Sequence, residues 1–212
     1  MHMKKLLMFA AFAVVLCSCG SGNSKKNDTL ANVHEGHEWV DLGLPSGLKW
    51  ATCNVGASSS EEYGDYFAWG ETTTKSTYTE DNCASYEKSW SDIGGDSSRD
   101  AATANWGGDW RLPTKAEYQE LLDNCTWEWT TQNGHNGYKV TSKKNGQSIF
   151  LPAADLRYGA DEDYVGSNGG YWSSTPDESS TYYAYVLYFD EDYPDVDWGS
   201  RYFGRSVRPV LE

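Results

Sequence analysis

Residues 110–118 read Trp-Arg-Leu-Pro-Thr-Lys-Ala-Glu-Tyr, and this stretch decides how the rest of the chain is interpreted. Thr114 is followed three residues later by Glu117, which is the pattern of a helix capping box. Pro113 disfavours helix in the residues before it. We therefore predict a helix over about 114–124, and we expect it to be the only substantial helix of the folded region. Its buried stripe is predicted to consist of Ala116, Tyr118, Leu121 and Leu122.

Strand signals dominate the rest of the chain. The sequence holds 10 Trp, 15 Tyr and 21 Gly but only 6 Pro, a composition that favours short strands joined by turns. Asn133-Gly134 and Asn145-Gly146 are hairpin-turn dipeptides. Residues 71–105 are expected to be mostly loop. The fold class is therefore predicted to be α+β, with small antiparallel sheets and long loops. The predicted strands are 38–42, 48–55, 66–69, 125–131, 138–141, 148–151, 170–174, 182–189, 196–198 and 206–211.

The amino terminus is typical of a bacterial lipoprotein signal peptide over residues 1–18. Lys4 and Lys5 precede an apolar run that is too short to span a bilayer. The segment ends Leu-Cys-Ser-Cys at 16–19, which resembles a lipobox with Cys19 as the lipidated residue. A plain secretory signal is the alternative. Lipid on Cys19 would hold the protein to the outer membrane, on its periplasmic or its cell-surface side.

A change in composition divides the remaining chain. Residues 19–37 are polar and lack periodicity, so they are predicted to be a flexible tether. From residue 38 the pattern becomes that of ordered strands, and 38–212 are predicted to form a single domain. The net charge of −14 at pH 7 repels phosphate backbones, so no nucleic acid partner is expected.

Residues 158–202 are rich in tyrosine and acids. They hold nine of the fifteen tyrosines, seven Asp and three Glu, against Arg201 as their only basic residue. Tyrosine offers a large, rigid contact area, while Ser, Gly and Asp offer adaptable polar contacts, and this mixture is typical of binding loops. A surface hairpin with a chance excess of tyrosine is the plainer alternative. In strand 182–189, Tyr185, Leu187 and Phe189 are predicted to face the core.

Metal and disulfide chemistry have little support. The acids at 190–192, with Asp195 and Asp197, lack the fixed glycine of a calcium loop. His34 and His37 are too close in sequence for the zinc-protease helix pattern. We predict no metal and no cofactor. Beyond the signal there are three cysteines. Cys53 and Cys125 either form a disulfide or remain free thiols, and Cys83 is left outside this pair.

Five separated motifs stand out in the sequence, at 39–57 (WVDLGLPSGLKWATCNVGA), 66–71 (YFAWGE), 110–118 (WRLPTKAEY), 171–175 (YWSST) and 204–210 (GRSVRPV). Together they resemble the Fibrobacter succinogenes major paralogous domain of Bacteroidetes lipoproteins. The resemblance covers about residues 38–211. It implies a C-type lectin-like, sulfatase-modifying-factor-like superfold, in which amino- and carboxyl-terminal strands pair and a helix packs beside a small antiparallel sheet.

Two branches of that superfold suggest different functions. The formylglycine-generating enzymes use a late cysteine pair, which this sequence lacks after residue 125. Other relatives are targets of diversity-generating retroelements and display a variable carboxyl-terminal region. The Tyr, Asp and Ser content of 158–202 resembles such a region, although Glu162, Glu178 and Glu191 depart from its codon pattern. The resemblance implies as displayed, ligand-binding positions Tyr182, Tyr183, Val186, Tyr188, Asp190, Asp192, Tyr193, Asp195, Asp197, Ser200 and Tyr202.

The sequence therefore predicts a lipid-anchored, non-catalytic module that binds a protein or glycan ligand through its carboxyl-terminal face. One alternative is a relative of the formylglycine-generating enzymes. Another is a structural envelope or assembly protein in which the tyrosine-rich face is a fixed subunit contact.

Overall fold

A computed structural model describes residues 32–212. The predicted signal peptide at 1–18, the lipidation residue Cys19 and the tether up to residue 31 lie outside the described residues. The helices are α1 (Ala101–Trp106) and α2 (Lys115–Asn124). The strands are β1 (Val33–His34), β2 (His37–Asp41), β3 (Lys49–Ala51), β4 (Cys125–Gln132), β5 (His135–Ser142), β6 (Ser148–Pro152), β7 (Leu156–Tyr158), β8 (Asp161–Asp163), β9 (Gly169–Pro176), β10 (Tyr183–Phe189), β11 (Pro194–Ser200), β12 (Gly204–Arg205) and β13 (Val210–Leu211).

Four small antiparallel sheets and one main helix make up residues 32–212, which confirms the predicted α+β class. Their strand orders are β1-β2-β3-β13, β11-β10-β9, β12-β7-β8 and β4-β5-β6. None of the helices described in residues 32–212 is long and apolar enough to cross a membrane.

Helix α2 begins where the capping box predicts. The Thr114 side chain accepts a hydrogen bond from the Glu117 backbone N–H at 3.2 Å, and the Thr114 N–H donates to the Glu117 carboxylate at 2.7 Å. Tyr118 and Leu121 are fully buried, as predicted. Ala116 is exposed, contrary to prediction, because two residues span about 200° of helix and place it opposite Tyr118.

Helix α1 lies in the segment 71–105 that was predicted to be mostly loop. The side chain of Asp100 caps it, accepting from the backbone N–H groups of Ala102 at 2.8 Å and Thr103 at 3.2 Å. The same carboxylate accepts from the N–H of Leu112, which joins α1 to the approach to α2. With six residues the helix is too short to show an apolar period, and this explains why the pattern missed it.

The two ends of the folded region lie side by side. Strand β13 pairs with β3, with Val210 opposite Trp50, and β3 pairs in turn with β2. Pairing of β1 with β2 begins at Val33, inside the segment 19–37 that the sequence predicts to be a tether. Of the predicted strand 206–211 only β13 is strand, and β12, which precedes it, pairs with β7 in a different sheet.

Strand β10 is the centre of the fold and is covered on both faces. Leu187 and Phe189 pack into one core cluster, which includes Trp50 and Tyr118 of the segments around it. Ala184 and Val186 point the other way, into a second cluster built on Trp172 and neighbouring aromatic residues. Burying side chains of both faces makes β10 a rigid base for the segments at its two ends.

The predicted hairpin turn at Asn133-Gly134 is confirmed between β4 and β5. Both residues have positive φ, 47° and 89°, which is the backbone form that a two-residue hairpin turn requires. The predicted strand 66–69 forms only a bridge, Phe67 to Arg205, because its neighbours pack into the core as irregular chain.

Candidate functional site

Exposed aromatic side chains are concentrated in the carboxyl-terminal part of the domain. Residues 32–212 contain six large hydrophobic side chains that remain exposed, and five of them lie between 158 and 198, with exposed fractions of 42% to 68%. Exposed apolar side chains that form one contiguous patch are typical of interaction surfaces. These five residues are Tyr158, Tyr164, Tyr182, Tyr193 and Trp198.

Three of these exposed side chains belong to a continuous series of ring contacts that we name the aromatic strip. At one end, the rings of Trp198 and Tyr183 are 4.4 Å apart between centroids. Tyr182 follows at 6.4 Å from Tyr183, and Tyr86 at 5.1 Å from Tyr182. The strip consists of Tyr86, Tyr158, Tyr182, Tyr183, Trp198, Tyr202 and Phe203.

The other end of the strip is formed by residues around the end of β11. Tyr202 lies 5.4 Å from Tyr86 and 4.7 Å from Phe203. Tyr158, at the end of β7, contacts both, at 6.0 Å from Tyr202 and 5.7 Å from Phe203. Tilted and edge-to-face pairs at these distances stabilise one another, so the strip presents a preorganised surface.

The register of β10 and β11 positions the Trp198 end of the strip. Tyr183 lies opposite Ser200, and Tyr185 lies opposite Trp198. Because side chains alternate between faces along a strand, these four residues share one face of the hairpin. Trp198 reaches Tyr183 diagonally across that face.

Two phenols of the strip, those of Tyr86 and Tyr202, have raised pKa values. Burial, together with a hydrogen bond and the nearby charge of Glu80, raises the pKa of Tyr86 to about 12. Burial also raises the pKa of Tyr202. The hydroxyls of Tyr86 and Tyr202 therefore keep their protons as hydrogen-bond donors beside an apolar ring, a combination suited to a ligand that is both hydroxylated and partly apolar.

Part of the strip is fastened to the core by a buried arginine. Arg205 is almost fully buried and donates from Nη1 to the Asp155 carboxylate at 2.8 Å. Its guanidinium lies 5.9 Å from the Phe203 ring and 5.7 Å from the Trp172 ring. The ion pair connects β12 to the start of β7, which holds the two segments that carry Phe203 and Tyr158.

The structure brings together four of the predicted positions: Tyr182, Tyr183, Ser200 and Tyr202 lie at this end of the β10–β11 hairpin. Asp190, Asp192 and Tyr193 form the turn at the opposite end, where the Asp190 carboxylate accepts from the N–H of Asp192 at 2.9 Å. Six residue steps along β10 separate the two ends, a span of about 20 Å.

Three further predicted positions lie on the other face of the hairpin. Tyr188 is opposite Asp195, and both point away from the face that carries Tyr183 and Trp198. Asp197 lies on the same face as Tyr188 and Asp195. The Tyr188 hydroxyl accepts a hydrogen bond from Asn168 at 2.8 Å. These residues are not part of the strip.

The prediction that Val186 is displayed is wrong. Its side chain is 1% exposed and packs in the second core cluster. The alternation of side chains correctly placed Leu187 and Phe189 in the core. It cannot show that other elements also cover the opposite face of a central strand, and they do so here.

Four members of the strip were not predicted: Tyr86, Tyr158, Trp198 and Phe203. Trp198 carried a signal, because a tryptophan beside acids and glycine in a short carboxyl-terminal strand is unlike a core residue. Phe203 adjoins the predicted Tyr202. Tyr86 carried none, since tertiary structure alone brings residue 86 to the hairpin.

Residues 32–212 contain no group of three or more His, Cys, Asp or Glu side chains placed to share a metal ion. His37 stacks on Trp106 with ring centroids 3.7 Å apart, and burial lowers its pKa. Cys53, Cys83 and Cys125 are all free thiols, so the alternative of a Cys53–Cys125 disulfide is excluded.

Comparison with known proteins gives one match. A family model described as a domain of unknown function, DUF8237, matches residues 127–210, which is 84 of the 212 residues. The matched span runs from β4 to β13 and includes every member of the strip except Tyr86. Neither the curated proteins nor the solved structures contain a match to the chain.

Proposed function

We propose that the protein is a lipid-anchored, non-catalytic ligand-binding module whose contact surface is the aromatic strip. The observation that carries the proposal is that three of the six exposed large hydrophobic side chains of residues 32–212, Tyr158, Tyr182 and Trp198, belong to one continuous series of ring contacts. Rigid aromatic rings beside hydroxyl and carboxylate groups can contact both sugar rings and protein side chains. The ligand is a glycan or a protein.

The charge of the segment narrows the ligand class. Arg201 is the only basic residue of 158–202, and it is buried, so the surface of this segment carries acids without compensating cations. Ligands with a neutral or basic surface are therefore favoured over acidic ones.

The finer fold assignment is also a proposal. Strand β13 pairs with β3, and α2 packs beside the sheet containing β10, as in the C-type lectin-like and sulfatase-modifying-factor-like superfold. Within that superfold the strip would correspond to a displayed carboxyl-terminal region. We propose that a retroelement diversifies it, which predicts a reverse transcriptase gene and a nearly identical template repeat beside the gene.

The membrane attachment is proposed from Cys19. In cells fed an alkyne-labelled fatty acid, the full chain should incorporate the label, and Cys19→Ser should abolish incorporation and prevent maturation. Cys17→Ser is the matched control and should be labelled normally. Labelling that survives Cys19→Ser would remove the lipid anchor from the account. Protease accessibility in intact cells then distinguishes the cell-surface side of the outer membrane from the periplasmic side.

Screening the purified full chain on a glycan array and on cell surfaces tests the ligand-binding function. Binding should be saturable and should be lost when Tyr183 and Trp198 are both replaced by alanine. Tyr193→Ala, an equally exposed aromatic at the far end of the hairpin, is the control and should bind normally. Retained binding by the double variant would refute the proposed surface. Self-association in place of ligand binding would favour an assembly protein.

A further inference from the structure

A groove lies beside the aromatic strip. Residues 89–92 form one wall and 175–181 form the other, enclosing a groove of about 500 Å³. Arg201 also lines this groove, and Thr181 connects it to Tyr182 of the strip.

Arg201 is buried, and its guanidinium is fixed by a ring contact and three hydrogen bonds. It is 1% exposed, and its guanidinium lies 4.3 Å from the centroid of the Trp69 ring. Nε donates to the carbonyl of Tyr183 at 2.9 Å, and Nη1 donates to the carbonyls of Lys88 at 2.7 Å and Ser85 at 3.3 Å. These neutral acceptors fix the direction of the guanidinium plane.

The Arg201 side chain lacks a counterion within the described part of the chain. No Asp or Glu oxygen of residues 32–212 lies within 4 Å of the guanidinium, whereas Arg205 is paired with Asp155. Within the same residues, Nη2 of Arg201 donates no hydrogen bond. This nitrogen is not sealed from solvent. A buried cation with a free donor nitrogen favours an incoming carboxylate, which accepts charge-assisted hydrogen bonds.

Acidic side chains surround the rest of the groove. Asp92, Asp177 and Glu178 all line it. Asp92 accepts from the Thr175 hydroxyl at 2.9 Å, whereas Glu178 is exposed and makes no hydrogen bond within residues 32–212. Three acids repel a simple anion, and a simple cation leaves the free donor nitrogen of Arg201 without an acceptor. A ligand that carries both charges matches both parts of the groove.

We propose that this groove binds a free amino acid as its zwitterion. The carboxylate pairs with Nη2 of Arg201, and the ammonium group lies against the carboxylates of Asp177 and Glu178. Trp90, on the wall formed by 89–92, supplies apolar surface for the ligand side chain. This site is separate from the aromatic strip and does not depend on its function.

Calorimetric titration of the full chain in detergent with each of the twenty common amino acids tests the proposal. At least one should bind, and both its amide, which lacks the carboxylate, and its N-acetyl derivative, which lacks the ammonium group, should bind at least tenfold more weakly. If none of the twenty binds, or if the two derivatives bind as well as the parent, the proposal is wrong.

Variants locate the binding in the groove. Asp177→Asn with Glu178→Gln changes two side chains at the surface of the groove and should weaken binding at least tenfold, and Arg201→Lys should also weaken it. Arg201 anchors the chain at Ser85 and Lys88, so Arg201→Lys can fail to fold. In that case the double variant Asp177→Asn with Glu178→Gln is the deciding test. Glu128→Gln, an exposed acid on β4, is the matched control and should bind normally. Unchanged binding by the acid variant would overturn the proposal. Trp198→Ala, which alters only the strip, should leave amino acid binding intact.

Discussion

The indole of Trp198 and the phenol of Tyr183 lie 4.4 Å apart between ring centroids, with planes inclined by 55°, on one face of the β10–β11 hairpin. Trp198 is 54% exposed, although aromatic residues of this size are usually buried to a large extent. The strand that carries Tyr183, β10, packs into both core clusters, and this holds the pair of rings rigid. This is the arrangement of a contact surface that is formed before its ligand arrives.

Replacing either ring should weaken ligand binding with little effect on stability. Aromatic contacts at the centre of an interface often contribute more than 1 kcal/mol each, so Tyr183→Ala or Trp198→Ala should each raise the dissociation constant roughly fivefold or more. Because the two rings contact each other, the double variant should differ from the sum of the single effects. Titration of the single and double variants against the array-identified ligand measures both quantities, and Tyr193→Ala, with an affinity equal to the wild type, serves as reference.

The start of α2 should give the domain a defined dependence on pH. Burial alone would raise the pKa of Glu117, but hydrogen bonds from Arg111 and Thr114 outweigh it and hold the pKa below its ordinary value of 4.5. A carboxylate with a depressed pKa stabilises the fold above pH 4.5, and that contribution is lost as the pH falls. Glu117→Gln should therefore cost about 1–3 kcal/mol at pH 7 and much less at low pH.

Urea unfolding of the wild type and of Glu117→Gln at pH 7 and pH 3 measures this difference. Glu128→Gln, an exposed acid, should change stability by less than about 0.5 kcal/mol at both pH values. An equal cost of Glu117→Gln at both pH values would show that the charge of Glu117 is not involved.

The buried pair of Arg205 and Asp155 should matter more when it is broken than when it is replaced. Arg205→Met leaves a buried carboxylate without its partner and should cost about 3–5 kcal/mol. Combining Arg205→Met with Asp155→Leu should recover most of that loss. Glu162→Gln, which removes the exposed pair of Glu162 with Arg157, should cost less than about 1 kcal/mol. Urea unfolding measures all three, and a double variant less stable than Arg205→Met would contradict the account.

The three thiols of the folded region should differ in reactivity. Burial raises the pKa of Cys125 to about 11, whereas Cys53 is only half-buried. Iodoacetamide at pH 8, read out peptide by peptide by mass spectrometry, should modify Cys53 first and Cys125 at least tenfold more slowly, because the thiolate is the reactive form. In denaturant the two rates should become similar. A Cys125 that reacts as fast as Cys53 in the native protein would show that it is not buried.

Local sequence signals predicted the parts of the fold that depend on neighbouring residues. The capping box of Thr114 and Glu117 located the start of α2, and Asn133-Gly134 located a hairpin, because both rest on hydrogen bonds and backbone angles within a few residues. Helix α1 was missed because its six residues are too few to show an apolar period.

The candidate site was predicted only in part because it depends on distant contacts. The tyrosine content of 158–202 pointed to the correct segment, but period-two alternation could not distinguish the buried Val186 from exposed neighbours. Nothing near Tyr86 indicates that it will contact Tyr182 and Tyr202, which are about a hundred residues away in the chain. The same limit applies to Arg201, whose partners Ser85 and Lys88 lie in the segment 71–105, more than a hundred residues away in the chain.

The central claim is that ligand covers the aromatic strip, and tyrosine nitration with and without saturating ligand tests it most directly. Mass spectrometry of the nitrated full chain should show that ligand protects Tyr158, Tyr182 and Tyr183, while Tyr164 and Tyr193, which are exposed but lie outside the strip, react at unchanged rates. Protection of Tyr193 or Tyr164 without protection of the strip tyrosines would contradict the account.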